Sequence, residues 1–398
     1  MASQTTLPSS QPVPVINQLP FELLAKIFVH SAQKPVHPVN EWCIPKYPRE
    51  TLVEADLSGT LNIARVCRQW RNVVLAIPEL WKMIKISTAE DAVTFAESLP
   101  LPLHVLGRSP PSSVFLTLIF RPTKVFTEAD VGHIPVTPEI KNIKGMDVQG
   151  DSHIRSSALF GWMHQFPNLT HLSLINIHVD HDAVCIPDPL RSRLTHLHVY
   201  LWFDSHVNRF FDNRLSPSLN RPWSSLTSLT VEMPNWVLEN HILRAILARS
   251  PNLVELFIVA GEVDPDQNWT ATSSRTLRTF SFWVEGASLE ENVLVALFGA
   301  LSFPSLSNLI VTAPPRCGNL AFISRFLRRS KCRLSSLTLT NVKTEDSEWF
   351  ENSEVRRAAV SIGEEFAIPS VEFAFTTAET RVYQASKERW YDLDSSWL

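Results

Sequence analysis

The sequence has 398 residues, of which 44% are hydrophobic and 19% charged, a balance that allows a sizeable core and excludes an intrinsically disordered chain. Its formal net charge of −4 excludes a strongly basic protein, so the expected partners are proteins, with no nucleic acid and no membrane among them. The longest run without a formal charge, Asn292 to Pro315, is broken by Gly299, Pro304 and Asn308, which argues against a membrane span. No basic segment followed by an apolar run opens the chain, so no secretory signal is expected. Cys43, Cys67, Cys185, Cys317 and Cys332 are scattered without a Cys-x-x-Cys pair and read as reduced thiols. A cytoplasmic or nuclear location is the corresponding expectation.

Residues 1–16 read as a flexible polar lead. From Asn17 the pattern turns helical: Pro20 suits a first helical turn, and Leu23, Leu24, Ile27 and Phe28 keep the i, i+3/i+4 spacing of one apolar face. Residues 31–56 hold Pro35, Pro38, Pro45 and Pro48 and read as an extended insertion. Helical periodicity returns from Leu61 through Val66, Cys67, Trp70 and Val73, predicting one helix that ends at Ile77-Pro78, after which Leu80-Trp81 turns back to the apolar face.

The segments Leu19-Pro20-x-Glu22-Leu23-Leu24-x-x-Ile27-Phe28, Val66-Cys67-Arg68-x-Trp70 and Pro78-x-Leu80-Trp81 follow one another in an order that resembles the F-box, most closely the F-box-like domains of fungal proteins. The resemblance covers residues 17–86. It implies that Leu19, Pro20, Leu23, Leu24, Ile27 and Phe28 dock on a Skp-family adaptor, and through it reach a cullin. It also implies that Val66, Cys67, Trp70 and Trp81 mainly hold the small bundle together. The gap between Phe28 and Leu61 is longer than in the compact pattern.

Beyond the head, Ile84 and Ile86 alternate as in a strand, as do Leu101, Leu103 and Val105, with a helix expected between them, and Val114 to Phe120 forms a strong strand candidate. Residues 121–138 read as a surface loop. From residue 143 one template recurs, apolar-x-x-apolar-x-apolar: Ile143-Met146-Val148, Leu169-Leu172-Leu174, Leu194-Leu197-Val199, Leu226-Leu229-Val231, Leu253-Leu256-Ile258, Leu277-Phe280-Phe282, Leu306-Leu309-Val311 and Leu334-Leu337-Leu339. Helical stretches are expected at Trp236 to Arg249, Ser288 to Leu301, Leu320 to Arg329 and Glu348 to Glu365, and Val371 with Phe373 predicts one further strand. A strand and a helix per period cannot bury their own apolar faces, so neighbours must stack. The spacing falls in the range of the leucine-rich repeats, and the body resembles them, irregular in length and without an asparagine at every turn. The expected fold is α/β: a small N-terminal helical F-box-like domain (17–86), then an irregular leucine-rich-repeat solenoid with a parallel sheet and outer helices (87–375), then a C-terminal tail (376–398).

Alternation along each strand sends the template residues inward and their neighbours to the opposite face. That face carries the candidate target-binding residues His171, His196, His198, Tyr200, Glu232, Glu255, Phe257 and Trp283, aromatic anchors and acidic groups on an otherwise small, polar surface. No phosphate-cradling loop, dinucleotide fingerprint, Gly-x-Ser-x-Gly or His-Glu-x-x-His is present. The reading is therefore non-enzymatic and without a cofactor, and the resemblance to the F-box implies a substrate-recognition subunit of a Skp-cullin-F-box ubiquitin ligase. Two alternatives stand beside it, an interaction scaffold outside any ligase and a metal-dependent hydrolase using His171, His196 and His198.

Overall fold

The computed structural model describes residues 19–32, 57–77, 80, 83–88, 114–120, 143–150, 156–175, 186–200, 222–265, 269–284, 291–313, 320–341, 353–374, 380–384 and 389–393. The expected polar lead, most of the proline-rich insertion, Trp81, the expected strand at Leu101 to Val105 and the loop at 121–138 fall outside the described residues.

The first helix, α1 (Phe21–Ala32), starts on Pro20, whose carbonyl accepts from the N–H groups of Leu23 and Leu24 at 3.1 Å. Proline suits this place because it has no N–H to leave unpaired. Where periodicity predicts one continuous helix, the structure has two, α2 (Leu57–Val66) and α3 (Arg68–Leu75). The break is at Cys67, whose backbone is extended and whose Sγ accepts from the N–H of Trp70 at 3.4 Å. A thiol thus fills the N-cap role usually held by a hydroxyl or carboxylate, and α3 sets off in a new direction. Leu24, Phe28, Ala64, Val73, Val74, Ile77 and Leu80 form a closed core, with the Trp70 ring 4.8 Å from that of Phe28. Val66 is not part of it: as the last residue of α2, just before the break, it is 60% exposed, which corrects its expected packing role.

The sheet begins at β1 (Met83–Thr88), inside the segment assigned to the head, because Ile84 and Ile86 belong to a strand paired with β2 (Val114–Phe120). After these come β3 (Ile143–Gly150), α4 (Ser156–Met163), β4 (His171–Ile175), α5 (Asp188–Arg191), β5 (His196–Tyr200), β6 (Ser228–Leu238), α6 (Asn240–Arg249), β7 (Glu255–Val263), β8 (Thr272–Ser273), β9 (Thr279–Val284), α7 (Glu291–Ala300), β10 (Leu301–Ser302), β11 (Asn308–Ala313), α8 (Ala321–Ser330), β12 (Ser336–Asn341), α9 (Ser353–Glu365) and β13 (Ser370–Ala374). Strands β1 to β13, apart from the small β8–β10 pair, lie side by side in chain order, and every pairing among them is parallel. The expected C-terminal tail contributes β14 (Thr380–Gln384) and β15 (Arg389–Leu393), which continue the sheet antiparallel. The protein is α/β, and no described helix is long and apolar enough to cross a membrane.

Register explains the core. Leu172, Leu197, Leu229, Leu256, Phe280 and Leu309 stand opposite one another across β4 to β11, and Leu174, Val199, Val231, Ile258, Phe282 and Val311 form a second such row. All twelve are buried, and each row meets the apolar sides of the helices, among them Leu294, Leu297 and Phe298 of α7 and Phe322, Phe326 and Leu327 of α8. Where a helix is expected from Trp236, the chain instead stays extended to Leu238 and α6 starts at Asn240. Val237 and Leu238 pair with Glu262 and Val263 of β7, after a register shift between Met233 and Val237 that takes in Pro234, which cannot donate to the ladder.

Phe298 sits at the densest point, its ring 5.2 Å from Phe322, 5.4 Å from Phe326, 6.1 Å from Phe282 and 6.2 Å from Phe280. Phe298→Ala is expected to cost about 3–5 kcal/mol, the range for emptying a buried aromatic site, and Phe298→Leu clearly less. Urea unfolding checks both, and equal effects from the two would contradict a packing role.

Candidate functional site

Two surfaces carry the residues singled out by sequence. On α1, Leu24 (0% exposed) and Phe28 (1%) point into the head's own core, whereas Leu23 (47%) and Ile27 (39%) stand one turn apart on the open side. Pro20 is exposed and Leu19 half-buried against the core. The six residues expected to dock an adaptor are thus divided: Leu24 and Phe28 build the bundle, and Leu23, Ile27 and Pro20 are presented to solvent. Phe21, also 47% exposed, lines an open cavity of about 460 Å³ with Leu24, Arg68, Gln69, Asn72 and Val73.

On the sheet face the ladder sorts the other candidates into rows. His171, His196 and Glu255 share the first row, with Ser228 between His196 and Glu255. Ser173, His198 and Phe257 share the second, and Tyr200, Glu232 and Trp283 the third. In the second row the Ser173 hydroxyl is 2.9 Å from His198 Nδ1, and His198 Nε2 is 2.7 Å from Glu232 Oε1. A carboxylate only accepts, so in the neutral imidazole Nε2–H donates to Glu232 while Nδ1 accepts the Ser173 proton.

His198 is 5% exposed and Glu232 7%, which corrects the expectation that they face a partner. Each is flanked by strands roughly 4.8 Å away on both sides, and each spends its polar atoms on the neighbouring strand. The order hydroxyl, imidazole, carboxylate is that of a nucleophile relay. With Ser173 only 1% exposed, a substrate carbonyl has no access to it, and the row ties β4, β5 and β6 together. The other six candidates are half-buried, and Trp283 donates through Nε1 to the Ser281 hydroxyl at 2.9 Å.

The first row has a different chemistry. The imidazoles of His171 and His196 stack with centroids 4.1 Å apart and planes 10° from parallel. Their Nδ1 atoms lie 2.8 Å from the Thr170 hydroxyl and 2.9 Å from the Thr195 hydroxyl. Each of these hydroxyls also reaches a backbone carbonyl of the preceding strand segment, Lys144 and Thr170 respectively, so it donates there and accepts from Nδ1–H. His171 is lowered to about 4, chiefly by burial and then by repulsion from His196. Burial also lowers His196, opposed by the Glu255 carboxylate. Among the described residues no group of three or more His, Cys, Asp or Glu is placed to hold a metal ion. The three histidines of the hydrolase alternative are instead divided between a stacked pair and a buried hydrogen-bonded row.

Sequence reasoning missed the polar side chains that stitch the turns. Ser225, Asn252, Thr276 and Ser305 each stand just before a template residue and donate to a carbonyl of the preceding turn, Ser192, Ser224, Pro251 and Arg275 in order. The signal was present, a small polar residue directly before four consecutive template positions, but it is not one residue type. No protein-family model matches the chain, and no curated protein matches it.

Because the unfolded chain takes up protons at these histidines first, the stability they allow is complete above about pH 6.5 and declines as pH falls toward about 4. Urea midpoints followed across that window are expected to drop in the natural protein and to flatten in a His171→Gln/His196→Gln variant. Parallel curves would remove the stacked pair as the cause.

Proposed function

We propose that the protein is a non-catalytic receptor: an F-box-like head engages a Skp-family adaptor, and a leucine-rich-repeat-like body holds a protein target for ubiquitin transfer by partner enzymes. One observation carries the head's half of this reading. A bundle with a closed core still exposes Leu23 and Ile27 side by side on its first helix, with Pro20 at the helix entry and Phe21 open at the adjoining cavity. Apolar side chains grouped in this way mark a surface that another protein covers. The body's half is supported by strands in chain order with an unbroken parallel ladder, the arrangement expected of a repeat array in which each unit stacks only on its neighbours. Its third row offers Tyr200 and Trp283 as half-buried aromatic anchors about three strand spacings apart, roughly 14 Å. The mechanism is proximity, since holding target and transfer machinery in one assembly replaces a rare encounter with a local one.

The division of α1 dictates the test. A Leu23→Ala/Ile27→Ala variant is expected to keep the head folded and to lose at least about tenfold in adaptor affinity, whereas Leu24→Ala destabilises the bundle itself by about 2–5 kcal/mol. Titration calorimetry with purified adaptor measures the first, and thermal unfolding the second. Undiminished adaptor binding by the double variant would sink the docking face, and recovery of adaptor without cullin would favour the scaffold reading.

A further inference from the structure

The helices and strands of the body run in opposite senses, so one rim collects the ends of helices and the starts of strands, and the other rim the reverse. From β6 onward the described charged residues at the rim where strands end and helices begin are mostly acidic, Glu239, Glu262, Asp264, Glu291 and Glu354, with Arg356 in the first turn of α9 the exception among them. The opposite rim is basic. Arg275 and Arg278 precede β9, and Arg329, Lys331 and Arg333 end α8 and lead into β12. All five are exposed, and none has a carboxylate partner among the described residues.

Backbone bonds hold these turns side by side. Ser307 N–H donates to the Arg278 carbonyl at 2.8 Å and Ser335 N–H to the Ser307 carbonyl at 2.6 Å, so β9 and β12 begin two strand spacings apart, roughly 10 Å. Lys331 is fixed as the left-handed cap of α8, with φ 51° and its N–H on the Leu327 carbonyl at 2.9 Å. Helix-dipole compensation accounts for Arg329, in the last turn of α8, but not for Arg275, Arg278 or Arg333, which lie outside any helix. The carboxylates sharing this end of the body are Glu365, held by Arg328 at 2.6 Å, Glu364, and Glu255, which faces His196 on the sheet.

We propose that this basic rim binds an acidic polypeptide segment, one carrying clustered Asp and Glu side chains. Guanidinium groups pair bidentately with carboxylates, and five exposed cations with no carboxylate partner among the described residues, on turns tied to the ladder, are arranged in advance for several carboxylates at once. A nucleic acid fits less well. The five positions include no aromatic side chain on which bases stack. The surface needs neither the adaptor nor a ligase assembly, so it stands or falls separately from the reading of the head.

The test uses the full chain and fluorescence anisotropy with a short Glu-rich peptide, its Gln counterpart and a single-stranded DNA oligonucleotide of similar length. The Glu peptide is expected to bind, to weaken about tenfold as salt rises from roughly 50 to 300 mM, and to exceed both other probes. Replacing Arg275, Arg278, Arg329, Lys331 and Arg333 by Gln is expected to weaken it about tenfold with an unchanged thermal midpoint. The two halves, Arg275→Gln/Arg278→Gln and Lys331→Gln/Arg333→Gln, each give a partial loss. Exposed cations elsewhere, replaced as Lys26→Gln/Arg65→Gln/Arg244→Gln, leave binding intact. Equal binding of the Gln peptide, tighter binding of the DNA, or full affinity in the five-residue variant would overturn the proposal.

Discussion

The parallel ladder is the constraint on which the rest of this molecule depends. A parallel strand cannot be closed by a hairpin, so each return must cross over, and where the connection is described it does so through turns and helices, each strand lying beside the one just left. A strand of about five residues with two inward side chains and a short helix buries too little apolar surface to fold alone. Leu197 and Val199 are buried because Leu172, Leu174, Leu229 and Val231 flank them, and the same holds along the row. The strand is the repeated part, and the connections vary from a four-residue helix to one of thirteen residues because only their apolar side has to meet the rows.

In-register stacking also decides what the open face can do. Every side chain there has like-placed neighbours roughly 4.8 Å away, so polar groups meet one another before they meet a partner. Imidazoles on adjacent strands stack, and a hydroxyl, an imidazole and a carboxylate on three successive strands join into one line. Further along, the Ser336 hydroxyl donates to Asn308 Oδ1 and the Thr338 hydroxyl to Glu372 Oε2. Such bonds stabilise by about 1 kcal/mol each, while leaving one partner unpaired in this crowded setting costs more, so the face is stiffened by its own polarity. The larger side chains on this face are Tyr200, Phe257 and Trp283, the last itself held by the Ser281 hydroxyl.

Strands were legible because their signal is local and of period two: Leu172 with Leu174 or Leu309 with Val311 can be read without knowing any neighbour. The Cys67 break was not, since a thiol is an uncommon cap and Val66, Cys67 and Trp70 fit an unbroken helix equally well. The extended course through Trp236 to Leu238 was not legible either, since the apolar run there has helical spacing and a proline just before it is compatible with a helix start. Burial of His198 and Glu232 was out of reach for a different reason. It depends on a diagonal contact between residues 34 apart in sequence, and only the register of β5 on β6 supplies that. In the head, spacing placed Leu23, Leu24, Ile27 and Phe28 on one face, yet a helix turns 100° per residue, and the pair at 24 and 28 lies far enough from that at 23 and 27 for one to be inside and the other out.

That angular division is what lets a small domain be both stable and unsaturated. Leu24, Phe28 and the α3 side chains Val73 and Val74 are nearly or fully removed from water, each contributing about 1.5–3 kcal/mol of burial, which a bundle of this size needs in full. Leu23 and Ile27 contribute little to that sum because they remain 47% and 39% exposed. Their burial energy is still available, and it is released when another surface covers them. The sheet shows the opposite economy: its inward rows are saturated by strands on either side, and its outward rows are largely saturated by their own hydrogen bonds. Among the described residues, exposed large apolar side chains are thus concentrated on the head, at Phe21, Leu23, Ile27 and Val66, while a group of exposed cations lies on the rim between β9 and β12, so the two surfaces differ in chemistry.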